Sequence, residues 1–398
     1  MSSPSNKKSL FFLFGVTILI AITTYFTSFL ARGYKLGFNQ GSFVKATGLL
    51  SATSTPKSAS VYINDRLVTA TDDTLNLPPG QYQIKIVKDG YLPWQKTADI
   101  KKEIVYQTNA NLFRAAPDLT PITLTGAINP ILSPDNSKIV YAVASASAEI
   151  NNGLYQLDLT NRPLPLSKNV PKQIYPNFPG INWANFSFEF SPDSQSILAI
   201  GPNNTYLIKL DNANKSNLLD VTPRLSLIRQ DWQQQSSLLV KNLIKDLPLE
   251  IQQAISTASA STVSFSSSDT KVLYLAQSDV SLQDQYITPP PAQNSTDQIR
   301  QVKTDNYYVY DQKDDTNFLI GPIQNIKNPF WLPNSDSLIY IQDQKIKTVE
   351  YDTTNTQTLF ANNFDQSIVF PWPDGSRIVT FTSAYSPTPD NLYAITIR

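Results

Sequence analysis

The 398-residue chain contains no cysteine and no histidine. Without cysteine there are no disulfides, thiolate metal sites or thiol nucleophiles. Without histidine the usual general base near neutral pH is missing, and Ser-His-Asp and Cys-His catalysis go with it. Glycine is scarce, at 13 residues, about half the ordinary share of ~7%. Asn, Asp, Ser and Pro must therefore build most of the turns. An excess of either charge is lacking too. With 32 Lys plus Arg against 32 Asp plus Glu, no field draws the chain to nucleic acid or to an acidic surface. A charged share of 16% beside 41% hydrophobic residues fits a folded, weakly charged protein, and its length allows two or three domains.

The segment SLFFLFGVTILIAITTYFTSFLA holds no charge between Lys8 and Arg32. As a helix, Leu10 to Leu30 spans ~31 Å at ~1.5 Å per residue, about the hydrocarbon thickness of a bilayer. A buried core helix would show a periodic polar face, and this one has none. A cleaved signal peptide usually has a shorter apolar region of ~7–15 residues, and the one small-residue site here, near Ala31, is weak. The expectation is an uncleaved single-pass anchor over 10–30, a cytoplasmic tail over 1–9 and a linker over 31–42. Lys7, Lys8 and the terminal amine before the helix, against Arg32 and Lys35 after it, tip the positive-inside balance towards a cytoplasmic N-terminus. The C-terminal bulk then lies outside the cytoplasm.

Residues 43–115 read as one small all-β unit. SVYIN, LPPGQYQIKIVKDGY and EIVYQTNANLF are short strands separated by turn residues. Tyr82, Ile84 and Ile86 alternate with Gln81, Gln83 and Lys85, the period-two pattern of a half-buried strand. Pro79-Gly80 suits the centre of a type II turn, with Gly at positive φ, and Asp89-Gly90 marks the next turn. Leu77, Pro79, Gly80, Tyr82, Gly90 and Tyr91, after the strand Ala59 to Asn64, resemble the pattern of the PEGA domain family. Pro78 fills the variable position, and Gln81 stands where Glu is frequent. The resemblance implies a compact antiparallel β-sandwich of the kind carried outside the membrane by bacterial envelope proteins. Trp94, beside Pro93, is either a platform for a sugar ring or, the simpler reading, part of the sandwich packing.

From residue 120 onward one phrase returns. SPDNSKIVYAV begins at Ser133, SPDSQSILAI at Ser191, SSDTKVLYLA at Ser267, and PDGSRIVTF at Pro373. Aligned on the first strand residue, the copies place Ile139, Ile197, Val272, Leu338 and Ile378 together, with Pro134, Pro192, Ser267, Pro333 and Pro373 upstream. A weaker copy, DWQQQSSLLV, puts Leu238 in the same place. IVYAV, ILAI, VLYLA and LIYI are apolar at successive positions, so each strand is covered on both faces. A lone sheet cannot do this, whereas sheets stacked face to face around a ring can. The mean spacing of about 48 residues suits four-stranded propeller blades. Where the phrase carries Pro-Asp, the acid (Asp135, Asp193 or Asp374) caps the backbone of the turn, which explains its recurrence without catalysis.

The phrase resembles the repeat of TolB-like propellers, relatives of WD40-like repeats, best at Ser133-Pro134-Asp135 and Ser191-Pro192-Asp193. Pro373-Asp374-Gly375 matches in part, the copy at Ser267 lacks Pro-Asp, and Leu332-Pro333-Asn334 lacks the acid. The resemblance implies a propeller over 120–398, used to bind proteins, glycans or peptides or joined to enzymes. Six blades are expected, or five if the weak copy is a linker, with strand 121–126 completing the C-terminal blade. The fold class is thus all-β: an N-terminal transmembrane helix, a small antiparallel sandwich and a β-propeller. Two insertions interrupt the repeats. LIKDLPLEIQQAI, Leu243 to Ile255, has the spacing of a short amphipathic helix that packs on the ring. QDQYITPPPAQNSTDQ, residues 283–298, is a Pro-rich loop suited to recognition.

No catalytic motif is present: no GxSxG, GxGxxG, GxxxxGK[ST] or HExxH occurs. Ser268 and Lys271 have Ser-x-x-Lys spacing but fall in a repeat turn. Asp72-Asp73 and Asp314-Asp315 lack the calcium-loop pattern and read as solvated turn acids. No catalytic, cofactor-binding or metal residues are therefore expected, and no cofactor. The expected function is non-catalytic: a membrane-anchored envelope protein presenting a propeller to protein or cell-wall glycan, with no nucleic-acid partner. The alternatives are an extracellular hydrolase or lyase working through Asp and Glu, or a purely structural spacer.

Overall fold

A computed structural model describes residues 6–31, 35–36, 44–45, 47–159, 170–210, 218–255, 263–283, 296–382 and 390–398. The first of its two compact units takes in Met1–Leu112, and the second begins at Phe113. Helix α1, Asn6–Ala31, carries a stretch of mean hydropathy 1.8 over Phe11–Ser28, with those side chains exposed. The hydroxyls of Thr17, Thr23 and Thr27 donate to the carbonyls of Leu13, Leu19 and Thr23, four residues back. No hydroxyl proton of these threonines is then left bare in an apolar medium. The helix meets the length and composition of an anchor and of a signal sequence alike.

In the first unit, a four-stranded antiparallel sheet runs in the order Arg66–Ala70, Ser60–Ile63, Gly80–Val87, Trp94–Ile100. Gly48–Ala52, Asp73–Leu77 and Val105–Gln107 form a second, three-stranded sheet. Leu50, Val61, Ile84, Ile86, Trp94 and Ile100 meet in one core. Ile84 and Ile86 are fully buried while Gln81 and Gln83 are exposed, as the alternation requires. Gly90, at φ +79, sits in a turn closed by Tyr91 N donating to Lys88 O. Two expectations are corrected. Gly80 lies at φ +156 and opens its strand, so no type II turn forms there. The sandwich is also not wholly antiparallel, because Val105–Gln107 pairs parallel with Gly48–Ala52. Residues 101–104 carry the chain from one sheet to the other, so the arriving strand runs alongside Gly48–Ala52 in the same direction.

The second unit contains five four-stranded antiparallel sheets. Sheet I is Ile128–Leu132, Lys138–Val143, Gly153–Asp158 and Lys172–Pro176; sheet II is Ser187–Phe190, Ser196–Ile200, Thr205–Lys209 and Leu219–Asp220. Sheet III is Val263–Phe265, Lys271–Leu275, Asn306–Asp311 and Thr316–Pro322. Sheet IV is Lys327–Trp331, Ser337–Gln342, Lys345–Glu350 and Gln357–Phe360. Sheet V joins Val369–Pro371, Arg377–Thr382 and Asn391–Thr396 to Asp118–Pro121, from the start of the unit. The added strand lies slightly earlier than the expected 121–126. The regular register stops at Pro121, though Ile122 N still donates to Leu392 O at 2.8 Å. Beyond it, Thr123 Oγ1 donates to Asn391 Oδ1 at 2.9 Å and accepts from Leu392 N.

The repeated phrase is one turn made five times. In sheet I, Ser133 N donates to Lys138 O and Asn136 N to Ser133 O; the same pair of bonds recurs at Ser191, Ser266, Leu332 and Trp372. The residue at the bend lies at positive φ in every copy: Asn136, Ser194, Asp269, Ser335 and Gly375. Asn, Asp and Ser thus take a conformation that glycine usually fills, as the scarcity of glycine requires.

The strands behind these turns are covered on both faces by their neighbours. Ile139, Tyr141 and Val143 of sheet I pack with Trp372, Val379 and Leu392 of sheet V. Val140 and Ala142 point the other way, to Phe188 and Ile197 of sheet II and to Trp183 just before it. Leu273 and Val309 of sheet III meet Leu338 and Tyr340 of sheet IV. The opposite face of sheet III, Val272, Tyr274 and Tyr308, is covered by two helices and, through Leu282 and Val302, by the short two-stranded sheet Val280–Ser281 and Gln301–Val302, with no four-stranded sheet there among the described residues. The helices are α2, Leu225–Ile244, and α3, Leu249–Ala254.

This corrects two readings. The weak sixth copy, DWQQQSSLLV, is helical, and so is the segment before it. Ile228, Trp232, Ser236, Val240 and Ile244 recur at every fourth residue, a helical period, and no Pro or Gly breaks the run. The expected single helix over Leu243–Ile255 is in fact the end of α2 plus α3, parted near Pro248. The second unit thus has five four-stranded sheets among the described residues.

Candidate functional site

Two kinds of latch hold neighbouring sheets in register. At the turn end, Asp135 N of sheet I donates to Ser194 Oγ of sheet II at 3.1 Å, and Ser268 N of sheet III donates to Ser335 Oγ of sheet IV at 2.9 Å. At the other end of the first strands, Asn129 of sheet I and Asn328 of sheet IV lie at φ +49 and +48. Asn129 Nδ2 donates to Phe186 O at 2.8 Å, and Asn328 Nδ2 to Gln366 O at 3.2 Å and Ser367 O at 3.5 Å. Each Asn precedes a proline, at a break in strand register. Sequence reasoning missed this pair because the copies were aligned on the second strand. The signal was present as Asn129-Pro130 and Asn328-Pro329.

The Asn328 latch forms the floor of an open groove of about 750 Å³. One wall is the turn between sheets III and IV, with Ile323 and Ile326, beside Tyr307 of sheet III; the other is the segment Phe364–Ser367 between sheets IV and V. Ile326 N donates to Pro322 O and Asp365 N to Phe381 O, fixing the two walls. Asp365 Oδ1 accepts from Ser367 N at 2.8 Å and Ser367 Oγ at 2.6 Å. Lys327 Nζ donates to Gln366 Oε1 at 3.2 Å. Burial raises the Tyr307 phenol above its ordinary value, so it is a neutral hydroxyl on an aromatic face. The groove presents aromatic and aliphatic surface, amides, a hydroxyl and one charge of each sign.

A second cavity, of about 160 Å³, is lined in part by Pro248, Leu282, Arg300, Tyr310 and Asp315. Its Arg300 and Asp315 charges are spent on the fold. Arg300 Nη1 donates to Asp315 O at 2.8 Å and Oδ1 at 3.2 Å, while Tyr310 OH donates to Asp315 Oδ1 at 3.0 Å. The expectation that Asp314-Asp315 are solvated is therefore overturned, since both are buried at a hairpin end. Asp311 joins them there, and burial first, then the neighbouring Asp314, raises its carboxyl, against the pull of Lys271. Asp72-Asp73 behave as expected: Asp72 pairs with Lys57 at 3.2 Å, and exposed Asp73 accepts from Thr69.

The remaining candidates also have places. Trp94 is 3% exposed within the sandwich core, which leaves no platform. Lys271 Nζ pairs with Asp336 at 3.2 Å and lies 4.4 Å from the Tyr351 ring centre, while Ser268 Oγ bonds Thr270 Oγ1 at 2.8 Å. The two do not form a nucleophile and base. The Pro-rich stretch over 284–295 lies outside the described residues. In the turns, Ser191 Oγ and Gln195 N hold Asp193 below the ordinary carboxylate value. For Asp135, burial pulls upward, but Ser133, both Ser137 donors and Lys138 together bring it lower.

The second unit thus defines a class, a β-protein of successive four-stranded sheets, each with the same turn between its first two strands. Residues 47–115, nearly all of them in the first unit, match the PEGA domain family. No curated protein sequence matches the chain. Among solved structures, TolB from Acinetobacter baumannii is similar at 12% identity and TM-score 0.23, with 79% of this chain covering 59% of that one. The putative TolB from Agrobacterium tumefaciens is similar at 10% identity and TM-score 0.21, over 90% of this chain and all 100% of that one. An acylaminoacyl peptidase from Pyrococcus horikoshii is similar at 13% identity and TM-score 0.20, over 70% and 39% of the two chains.

Proposed function

We propose that this is a non-catalytic, membrane-anchored protein of the cell envelope whose second unit binds a protein or cell-wall glycan. In this reading α1 is an uncleaved anchor, and the PEGA domain lies outside the cytoplasm with the rest of the C-terminal bulk. The five sheets form a closed propeller, with α2 and α3 on the face of sheet III that a sixth sheet would cover. The observation that carries the binding role is the groove at Asn328, which gathers Tyr307, Ile323, Phe364 and Gln366 from segments distant in sequence. Its volume falls within the ~300–1,000 Å³ of ligand sites.

The chemistry of the first strands supports a non-catalytic role. Glu189 is the one acid in the first strands of the five sheets. It is held by Arg229 of α2, whose Nε lies 3.0 Å from Glu189 Oε2 and whose Nη2 contacts Oε1. A carboxylate hydrolase needs two acids with separated roles, and Glu189 is neither free nor paired with a second acid.

Two measurements test the proposal. Protease added to intact cells should cleave the second unit, and protection of that unit would refute the exported orientation. The full chain should bind members of glycan or protein arrays, and Phe364→Ala should weaken that binding. An absence of all binding would leave the spacer as the better reading.

A further inference from the structure

We infer that the groove at Asn328 takes a neutral oligosaccharide, an inference that rests on the second unit being a binding module. Peptides are commonly captured by adding a strand to an open sheet edge. The two first strands beside the groove are poor templates for that. Lys327–Trp331 is an edge strand, pairing with Ser337–Gln342 alone. Asn328 lies at φ +48, the register breaks between Lys327 and Phe330, and Pro329 offers no N–H. Val369–Pro371 is three residues long and ends in proline. Bulges, prolines and short length are the devices that blunt an edge against another chain.

Recognition in the groove then falls to side chains, and these favour a sugar. Sugar rings are neutral, with apolar C–H faces and a rim of hydroxyls. Phe364 and Tyr307 supply aromatic surface for the faces. Gln366 and Ser367 supply an amide and a hydroxyl for the rim. Gln366 Oε1 accepts from Lys327, and its NH₂ group has no acceptor among the described residues. The two charges oppose each other, and each has a partner: Lys327 with Gln366, Asp365 with Ser367. No surplus charge draws an anionic ligand. The groove is open to solvent, so a ligand longer than the site can run out of it.

The test is calorimetric titration of the full chain, held in a detergent without a sugar headgroup. The probes are a tetramer of N-acetylglucosamine, a β-1,4-linked glucose tetramer and a pool of random peptides. Binding of a tetramer is expected, with Phe364→Ala and Gln366→Ala each weakening it by about tenfold. Affinity should change little between about 50 and 500 mM salt, since no ion pair forms. Binding that neither substitution weakens, or that falls steeply with salt, overturns the inference. Peptide binding weakened by Phe364→Ala, with no tetramer bound, overturns the oligosaccharide and leaves the binding module standing. Binding of none of the probes overturns the oligosaccharide, and the arrays of the preceding section then decide between module and spacer. Unchanged unfolding temperatures of both variants guard against a loss of fold.

Discussion

Ser194 is 1% exposed, and its hydroxyl accepts the Asp135 amide proton across the gap between sheets I and II. Replacing it by alanine takes the acceptor away from that part-buried donor between the two sheets. Stranding a buried donor costs about 1–3 kcal/mol. In a unit of this size each kcal/mol shifts the midpoint by ~2–4 °C, so Ser194→Ala should lower Tm by roughly 2–12 °C. Ser335→Ala removes the acceptor for Ser268 N between sheets III and IV and should cost a similar amount. The two latches share no partner, so the double variant should equal the sum within ~0.5 kcal/mol. Calorimetric unfolding of the solubilised full chain gives the stabilities, and hydrogen exchange at the Asp135 and Ser268 amides reports each latch separately. Single variants within ~0.5 kcal/mol of the parent, with both amides still protected, would refute the claim that these serines tie adjacent sheets.

Gly375 lies at φ +67, and an added Cβ would stand 2.7 Å from Pro333 Cδ of sheet IV. Gly375→Ala should therefore destabilise by more than the ~1–2 kcal/mol of a left-handed alanine alone, measurable by chemical denaturation. Ile251 of α3 is fully buried beneath sheet III's helix-covered face, and Ile251→Ala should cost ~2–5 kcal/mol; a neutral result would deny the helices a role in covering that face. Asp135 and Asp193 have carboxyls held below their unfolded values, so their contribution is present above about pH 4 and lost as pH falls through the folded value. Asp193→Asn should flatten the acid limb of the stability curve, seen by unfolding at pH 3 to 6. Asp311 is shifted the opposite way, upward by burial. Asp311→Asn should stabilise at neutral pH, with the gain shrinking as pH falls below the raised value.

The groove shows why a site can stay hidden in a sequence whose fold is legible. Tyr307, Ile323, Lys327 and Phe364 belong to separate strands and loops, and none stands in a motif. Their proximity follows from sheets III, IV and V meeting at one end. The Asn latches were legible in principle, as two Asn-Pro pairs, but proline gives no hint of which carbonyl an asparagine will reach. Burial of Asp314-Asp315 was hidden for a similar reason. Two adjacent acids read as solvated until the fold buries both and brings Arg300, 15 residues upstream, onto Asp315.

What the sequence determined by itself was local. An uninterrupted apolar run forms α1, period-two alternation forms Gly80–Val87, and the recurring Pro-Asp phrase forms the same turn in sheet after sheet. Each depends on residues within reach of one another along the chain, so pattern and structure coincide. The tertiary structure decided which faces meet. It made Leu225–Ile244 a helix, because sheet III needs an apolar cover and the segment's apolar residues recur at helical spacing. It set Asp118–Pro121 beside Asn391–Thr396, since an open edge takes whichever strand can pair, however far away in the chain.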